Sequence, residues 1–385
     1  MSISPQSFLK HLIHRDILFF TGVPDSLLKY LCLCIDQSKD LKNNHIITSN
    51  EGAAIGLASG YHLGTNKLPL VYMQNSGIGN AINPLLSLSD SKVYSIPMLI
   101  LIGWRGEPGV KDEPQHLSQG EVQIDLLDSL KIPYDIISKD SIDYKMIIDN
   151  GLDVAKKKSS PFVILIKKNT FSKIEFNLKK QRKNTLSLTR EYSLDILLKS
   201  LPKNSIIVST TGKTSREIFE LRKLNNQSHE NDFLTIGSMG HCSSIALGIA
   251  KTNPHLNIFC IDGDGSMIMH MGTLSTIGQE LPDNFHHILI NNYTHESVGG
   301  QRTSSEIIDF YLLSKSLNYQ DYYSANDKET LNQLIEKLLN NANKPALFEI
   351  QVKSGSRLDL GRPTITPKEN KIKLMKKIHE LSQKK

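Results

Sequence analysis

Two apolar segments, each followed by a polar turn, constrain the fold of this 385-residue chain more than any other feature. The first segment, Asn257 to Ile261, leads into the sequence DGDGS at 262–266. The second, Phe285 to Ile290, leads into Asn291-Asn292 after an interval long enough for a helix. A strand, a helix and a second strand predict a parallel pair, whose carboxyl ends meet at one edge of the sheet. α/β proteins bind their ligands at this edge.

The residue types at this predicted edge indicate an anionic ligand held through a metal ion. We expect Asp264 and Asn292 to lie close together, and carboxylate and amide oxygens suit Mg²⁺. Gly263 and Gly265 allow the backbone to approach a diphosphate, and Ser266 offers a hydroxyl and an amide at a helix start. Either motif alone is usually only a turn or a solvated loop. Both together, each after a strand of the buried type, predict a magnesium and diphosphate site.

Short apolar runs recur along the chain and are separated by helix-type segments. They lie at 46–47, 70–73, 98–102 and 162–166 in the first half, and at 206–208, 258–261, 288–290 and 347–350 in the second. Strands that alternate with helices predict parallel sheets covered on both faces. The polar segment between Ser172 and Arg190 lacks periodicity. We therefore predict two doubly wound α/β domains, 1–172 and 191–385, joined by a linker at 173–190 with no middle domain.

The charge and apolar content exclude several classes of protein. The net charge is +6 and the pI is about 8.9, but the basic residues do not alternate with aromatic ones, so a nucleic-acid partner is not expected. The Lys-rich tail at 368–385 is predicted to be a solvated amphipathic helix. The cation surplus favours anionic substrates. No apolar run has the length of a membrane span, and no signal peptide is recognised, so we expect a soluble, cytoplasmic protein.

The chain has four cysteines, Cys32, Cys34, Cys242 and Cys260. Their spacing matches no zinc motif, and Cys260 belongs to a strand of the buried type. We expect free thiols in the core of a protein from a reducing compartment.

Glu51 follows the predicted strand at 46–47 and begins a helix rich in glycine, alanine and serine. A glutamate in the first helical turn commonly interacts favourably with the helix dipole. A small-residue helix also packs closely against a neighbour, often at a subunit interface. Glu51 is therefore also a candidate for a buried carboxylate that hydrogen-bonds a ligand nitrogen.

Taken together, these motifs resemble the thiamin-diphosphate-dependent decarboxylases. Within that family the chain is most similar to the phosphonopyruvate decarboxylases, with the sulfopyruvate decarboxylases as close kin. The more specific matches are QNSGIGN at 74–80, GWRGEPG at 103–109, DEPQH at 112–116, GSMG at 237–240, TGKTSRE at 211–217 and SVGGQ at 297–301. The resemblance covers nearly the whole chain. It implies a first domain that binds the pyrimidine ring and a second that binds the diphosphate.

The resemblance implies thiamin diphosphate and Mg²⁺ as cofactors. Glu51 would hydrogen-bond the pyrimidine ring, Met239 would support the bent cofactor, and the Gly237 carbonyl would accept from the exocyclic amine. The backbone carbonyl of Thr294 would join Asp264 and Asn292 as a magnesium ligand. The cofactor-binding residues implied are Glu51, Thr211, Gly212, Gly237, Met239, Gly263, Asp264, Gly265, Ser266 and Asn292. Met239 is alternatively a plain core residue.

The reaction implied is the non-oxidative decarboxylation of a small anionic 2-keto acid. The finer expectation is conversion of 3-phosphonopyruvate to phosphonoacetaldehyde and CO₂ in phosphonate biosynthesis, and the alternatives are sulfopyruvate or another 2-keto acid. The implied catalytic residues are Glu51, Asp112 and His116. The implied substrate residues are Asn75, Ser76, Arg105, Lys111 and His295. The alternative for Arg105 and Lys111 is a solvated loop.

The resemblance also implies a homodimer or larger assembly, in which Glu51 of one chain completes the site of another. Two other classes are less favoured. The run Thr211-Gly212-Lys213-Thr214 resembles the end of a phosphate-binding loop, but Ile207 occupies the position where that motif needs glycine. A degenerate, non-catalytic relative would be expected to lose Glu51, Asp264 or Asn292, and all three are present.

Overall fold

The computed structural model describes residues 2–174, 186–340 and 342–383, so most of the predicted linker lies outside the described residues. The chain divides into two compact units. The first consists of Met1–Leu178 with Val298–Gln301, and the second of Lys179–Ser297 with Arg302–Lys385.

The first unit contains, in its described residues, a parallel sheet of six strands in the order β2-β1-β3-β4-β6-β5. The strands are β1 (Phe20–Gly22), β2 (His45–Ile47), β3 (Leu70–Gln74), β4 (Leu99–Gly103), β5 (Tyr134–Ile137) and β6 (Phe162–Ile166). The helices are α1 (Pro5–His14), α2 (Lys29–Gln37), α3 (Glu51–Thr65), α4 (Ile78–Pro84), α5 (Pro114–Glu121), α6 (Gln123–Ser129) and α7 (Tyr144–Lys158).

Alternate side chains of the central strands enter two separate hydrophobic clusters, one on each face of the sheet. From β3, Leu70 and Tyr72 join the cluster packed by α1, α2 and α7. Val71 and Met73 join the cluster packed by α3, α4 and α6. Because both faces are covered, these strands read as continuous apolar runs in the sequence.

The second unit repeats this design. Its strands are β7 (Ile206–Ser209), β8 (Asp232–Leu234), β9 (Ile258–Gly263), β10 (Phe285–Asn291), β11 (Thr294–His295), β12 (Gln301–Arg302), β13 (Asp321–Ala325) and β14 (Ala346–Gln351). Its helices are α8 (Arg190–Ser200), α9 (Lys213–Leu224), α10 (Cys242–Thr252), α11 (Asp264–Met269), α12 (Thr273–Glu280), α13 (Phe310–Ser316), α14 (Lys328–Asn340) and α15 (Pro367–Ser382). Over the residues placed by the structure, the parallel sheet has the order β13-β14-β10-β9-β7-β8.

The two sheets have the same topology, and this fixes where each unit can hold a ligand. In each, the first strand pairs with the second on one side and the third on the other. The order therefore reverses between β1 and β3 in the first unit and between β7 and β9 in the second. The crevice at the carboxyl ends of such a strand pair is the usual ligand position in α/β folds. The turns at 210–212 and 263–266 flank this crevice in the second unit.

All eight strands expected from the apolar runs are confirmed, and within the described residues four strands of the two six-stranded sheets escaped the sequence analysis, as did the two-residue strands β11 and β12. Those four strands, β1, β5, β8 and β13, are only three residues long or lie at a sheet edge with a mixed polar sequence. Edge and very short strands bury little apolar surface and often lack the pattern that reveals central strands. The edge strand β2 is equally short and was recognised only because it contains Ile46-Ile47.

The expectation of a solvated tail helix was only partly right. Helix α15 forms, with a capping box at Thr366 and Glu369, but Leu374 and Leu381 are buried. The buried Asn370 accepts a hydrogen bond from the Leu234 amide at 3.2 Å and donates to the Asp232 carbonyl at 2.7 Å. The strand β8 lies at the edge of the sheet, and the Asn370 side chain bonds main-chain groups of β8 that a neighbouring strand would otherwise bond. No helix within the described ranges is both long and apolar enough to cross a membrane.

Candidate cofactor and substrate site

Asp264 and Asn292 come together at the carboxyl ends of β9 and β10. The register pairs Gly263 with Ile290, so both polar residues follow just beyond adjacent strand ends. Asp264 is 3 % exposed, and its carboxylate accepts the main-chain amide of Asn292. Burial raises the pKa of Asp264, and its hydrogen bonds oppose this rise. The structure therefore brings together the two residues on which the predicted magnesium site depends.

Two hydroxyl groups that the sequence analysis missed also hold Asp264. Thr303 Oγ1 and Ser305 Oγ both donate to its Oδ2, the latter at 3.0 Å. These residues follow the site by about forty positions in the sequence. No local pattern marks them as partners of Asp264.

A buried charge network orients Asn292. Its Nδ2 donates to Glu296 Oε2 at 3.0 Å, and its Oδ1 accepts the Thr294 amide at 3.1 Å. Glu296 in turn receives hydrogen bonds from Arg190 at 2.8 Å and from Lys213 at 2.7 Å. Burial raises the pKa of Glu296, but the charge of Arg190 and these hydrogen bonds outweigh burial and lower it to about 2. The amide of Asn292 is therefore held in one orientation by an ionised carboxylate.

The turn before α9 provides space beside backbone donors. Gly212 has a φ of +94°, and a Cβ placed there would meet nothing within 4 Å. The turn leads into a twelve-residue helix, whose N-terminal amides favour anions. The side chain of the adjacent Lys213 is engaged by Glu296 and by Ser356 at 2.8 Å. The backbone of this turn is the part that is open to a ligand.

The loop 237–240 lies beside the Gly-Asp-Gly turn. The Gly240 amide donates to Ser266 Oγ at 3.0 Å, which links this loop to the start of α11. Met239 is half-buried and belongs to none of the hydrophobic clusters found among the described residues. Its placement therefore differs from that of a core methionine. His295 packs over the turn from the other side, since a Cβ on Gly265 would lie 3.1 Å from its ring. Burial lowers the pKa of His295 to about 4.

In the first unit, Glu51 is buried at the start of α3 and is 5 % exposed. Asn50 caps the helix by accepting the Ala53 amide at 2.9 Å, and Asn80 Nδ2 donates to Glu51 Oε2 at 2.8 Å. The carboxylate lies directly over Gly77, where a Cβ would be 2.4 Å from Glu51 Oε1. The structure thus agrees with a buried carboxylate rather than with an exposed acid of the first helical turn.

The loop after β4 is organised by Arg105 and Asp112. Arg105 Nε donates to Asp112 Oδ2 at 2.8 Å, its Nη2 donates to Asp112 Oδ1, and its Nη1 reaches Ser26 Oγ at 2.9 Å. Burial raises the pKa of Asp112, but Arg105 outweighs it and the pKa is lowered overall. Arg105 is therefore not a solvated loop residue, whereas Lys111 is exposed.

The side-chain amide of Asn75 holds this loop in place through both its nitrogen and its oxygen. Its Nδ2 donates to the Arg105 carbonyl at 2.8 Å, and its Oδ1 accepts the Arg105 amide at 3.2 Å. Ser76 is exposed, with its hydroxyl donating to Gln74 at 2.9 Å. Because Gly77 contacts Glu51 while Asn75 contacts Arg105, the segment 75–80 joins the two groups of predicted site residues in the first unit.

His116 lies in the same loop region, at the beginning of α5, and its ring atom Nδ1 is buried with no hydrogen-bond partner in the described part of the chain. Burial and the charge of Arg105 lower the pKa of His116 to about 4, against the opposing effect of Asp112. The ring is therefore neutral at pH 7.

Comparison with known proteins identifies the family. The model of the N-terminal TPP-binding domain of thiamine pyrophosphate enzymes matches residues 6–129, and that of the C-terminal TPP-binding domain matches 210–350. A phosphonopyruvate decarboxylase of Streptomyces viridochromogenes is 31 % identical over 90 % of this chain and 88 % of its own length. The chain belongs to the thiamin-diphosphate-dependent decarboxylases. Its cofactor is thiamin diphosphate, which such enzymes typically bind with Mg²⁺.

Two further relatives are also decarboxylases of small anionic 2-keto acids, as their names state. A phosphonopyruvate decarboxylase of Streptomyces hygroscopicus is 30 % identical over 95 % of this chain and 92 % of its own length. A sulfopyruvate decarboxylase of Methanosarcina acetivorans is 27 % identical over 75 % of this chain and 77 % of its own length.

The residues of the second unit fit a magnesium ion and a diphosphate. Asp264 supplies a buried carboxylate and Asn292 an amide whose orientation Glu296 fixes, and such hard oxygen donors suit Mg²⁺. Open space at Gly212 lies next to the N-terminus of α9. The sequence analysis anticipated these residues. It missed Arg190, Glu217 and Glu296, although the last lies only four positions from Asn292.

Proposed function

We propose that this decarboxylase acts on 3-phosphonopyruvate and releases phosphonoacetaldehyde and CO₂. The observation that carries the proposal is the loop at Arg105, where a guanidinium is fixed by Asp112 and Ser26 beside the segment that contacts Glu51. The exposed Lys111 and Lys168 add further positive charge, and Lys168 donates to the Lys111 carbonyl at 3.1 Å. A phosphonate carries more negative charge than a carboxylate alone and gains more from such cations.

The comparisons support the same substrate. Phosphonopyruvate decarboxylases match at 30–31 % identity over at least 88 % of their own length, whereas the sulfopyruvate decarboxylase matches at 27 % over 77 %. Sulfopyruvate is the second candidate, because its sulfonate would use the same cations.

Each residue then has a defined task. Asp264, Asn292 and the Thr294 carbonyl would hold Mg²⁺, and the turns at 211–212 and 263–266 would hold the diphosphate. Glu51 would hydrogen-bond the pyrimidine ring, with Gly237 and Met239 supporting the cofactor. Arg105, Lys111, Asn75, Ser76 and His295 would bind the substrate. Bound thiamin diphosphate supplies the electron-accepting ring that decarboxylation of a 2-keto acid requires.

Asp112 and His116 would act beside the substrate rather than on the cofactor. Asp112 fixes the Arg105 guanidinium through two hydrogen bonds. His116 is neutral at pH 7 and presents a buried nitrogen with no partner among the residues described. A neutral ring does not repel Arg105 and can exchange a proton with the reacting group.

We also propose that the active species is a homodimer or larger assembly in which the first unit of one chain and the second unit of another complete each site. Two relatives from Methanococcus maripaludis support a site built from two chains, because they are named as separate subunits of one enzyme. One is named sulfopyruvate decarboxylase subunit alpha and matches 42 % of this chain, and the other is named subunit beta and matches 34 %.

The deciding experiment compares decarboxylation of phosphonopyruvate, sulfopyruvate and pyruvate by the protein with thiamin diphosphate and Mg²⁺. We expect the highest kcat/KM on phosphonopyruvate. Equal values on all three would contradict an anion-selective site, and a preference for sulfopyruvate would transfer the assignment to the second candidate.

The variant Arg105→Gln tests the residue that carries the proposal. Loss of a charged hydrogen bond to the phosphonate should lower kcat/KM on phosphonopyruvate by about ten- to hundredfold. Pyruvate turnover should change much less, because pyruvate lacks the second anion. Arg15→Gln is the matched control, since Arg15 is a partly exposed residue of the surface pair with Asp149. An equal loss on both substrates would show that Arg105 only supports the loop.

A further inference from the structure

We propose that the second unit contains a structural zinc site formed by Cys242, Cys260, Asp262 and His287. The four residues lie in its core and take no part in the proposed magnesium and diphosphate site. Their spacing in the sequence is irregular, and only the fold brings them together.

The fold places three of the four ligands on one face of the sheet. Cys260 and Asp262 are two residues apart on β9, so their side chains point to the same face. His287 on β10 is the register partner of Cys260. Cys242, the first residue of α10, covers this face from above, and its Sγ lies 4.0 Å from that of Cys260. Ligand atoms of Cys242, Cys260 and Asp262 all lie within 4.8 Å of one another.

Two of the distances between ligand atoms are close to those of tetrahedral zinc coordination. Zn–S bonds of about 2.3 Å and Zn–N or Zn–O bonds of about 2.1 Å place two sulfurs about 3.8 Å apart and a nitrogen and an oxygen about 3.4 Å apart. The observed separations are 4.0 Å between the two sulfurs and 3.7 Å between His287 Nε2 and Asp262 Oδ2. Each of these two pairs would need to close by only a few tenths of an ångström. His287 is not among the residues whose ligand atoms all lie within 4.8 Å of one another, so its ring would have to move further towards the two sulfurs.

Two of the ligand atoms have no partner within the described part of the chain. Asp262 Oδ2 and His287 Nε2 are buried without a hydrogen bond, and both side chains are 0 % exposed. A buried carboxylate oxygen and a ring nitrogen left in this state are costly. A simple ion pair between them would satisfy neither atom fully, because 3.7 Å is too long for a hydrogen bond. A metal ion between them would satisfy both.

The second nitrogen of His287 and the second oxygen of Asp262 are both hydrogen-bonded, and such contacts orient metal ligands. Tyr319 Oη lies 3.0 Å from His287 Nδ1 and so fixes the ring with Nε2 towards the cluster. Asp262 Oδ1 accepts the Gly263 amide at 2.8 Å, which leaves Oδ2 for the metal. Two thiolates and an imidazole select Zn²⁺ over Mg²⁺, so this site would not compete with the magnesium site. The zinc ion would tie β9, β10 and α10 together directly beneath the Gly-Asp-Gly turn.

The test measures metal in the full-length protein, produced in zinc-supplemented medium and purified with thiamin diphosphate and Mg²⁺. Mass spectrometry of the metals should find about one zinc ion per chain. Cys242→Ala and Cys242→Ser should both lose it. Cys32→Ala is the matched control, because Cys32 is equally buried but belongs to the first unit, and it should keep its zinc.

Protein grown with Co²⁺ in place of zinc should show a thiolate-to-cobalt charge-transfer absorption band that Cys242→Ser lacks. This absorption measurement does not depend on enzyme activity or on the stability of one variant. Wild-type protein with no zinc, or zinc that persists in both Cys242 variants, would overturn the proposal. So would an intact mass lower by two hydrogens, which would show a disulfide between Cys242 and Cys260 instead.

Discussion

At the scale of single residues, the position of Glu51 depends on a glycine. A side chain at position 77 would overlap the Glu51 carboxylate, whereas the backbone conformation at Gly77, with a φ of −73°, is ordinary for any residue. The requirement for glycine here is therefore one of space and not of backbone strain.

The first prediction compares Gly77→Ala with Gly79→Ala. Gly77→Ala should displace the Glu51 carboxylate and lower kcat by about tenfold or more, since a misplacement of 1 Å can cost about a hundredfold. A Cβ on Gly79 would meet nothing within 4 Å, so that variant should retain its activity. Steady-state kinetics at saturating thiamin diphosphate measures both. Equal activity of the two variants would contradict a catalytic role for the position of Glu51.

The second prediction concerns the pH dependence of His116. Its native pKa of about 4 lies below the ordinary histidine value of about 6.5, so the unfolded chain binds a proton that the native chain excludes between these values. The free energy of unfolding should therefore fall as the pH drops through this window, by up to about 1.4 kcal/mol per pH unit. His116→Gln should make that dependence shallower. NMR titration of the ring gives a direct check, and a midpoint near 6.5 would contradict the prediction.

At the scale of secondary-structure elements, a buried ion pair joins α8 to α9. Arg190 donates to both carboxylate oxygens of Glu217 at 2.8 Å, and the two residues are 4 % and 1 % exposed. The third donor group of Arg190 reaches Glu296, which orients Asn292. The packing of α8 against α9 thereby supports a proposed magnesium ligand through Glu296.

The third prediction is that Glu217→Ala lowers the free energy of unfolding by about 3–5 kcal/mol, because it leaves Arg190 buried without its main partner. Urea-induced unfolding measures the change. The control is Glu380→Ala, which removes an exposed helical contact with Lys376 at 3.9 Å and should cost less than about 0.5 kcal/mol. Similar costs for the two variants would show that the buried pair adds nothing beyond a surface pair.

At the scale of the whole molecule, the residues proposed to bind one cofactor are divided between two units of the same topology. Glu51 belongs to the first unit, and Asp264 and Asn292 belong to the second. This division allows the two halves of a site to come from different chains.

The fourth prediction uses this division. Glu51→Ala and Asp264→Ala should each be inactive alone. A mixture should recover up to about a quarter of wild-type activity after subunit exchange, because some sites then receive both intact halves. Activity is measured before and after exchange, with tagged chains reporting that mixed assemblies have formed. No recovery in exchanged assemblies would contradict a site shared between chains.

Much of the fold was predictable from the sequence, because strands buried on both faces must be apolar throughout. Strands such as β4 and β6 therefore stand out, while β1 is too short and β13 too polar to be recognised. The proposed magnesium and diphosphate residues were also predictable, because they follow central strands within a few positions. Glu51 follows β2, a strand at the sheet edge, and was anticipated instead from the small-residue helix that it begins.

The sequence by itself determined which segments form the central strands and which polar residues stand at their ends, since both are consequences of local pattern. Only the tertiary structure decided which distant residues meet: Thr303 and Ser305 on Asp264, Arg190 with Glu217, and Cys242 beside Cys260 and His287. Those contacts arise where strands and helices far apart in the sequence are packed side by side. The distance along the chain between two such residues therefore carries no information about the distance between them in space.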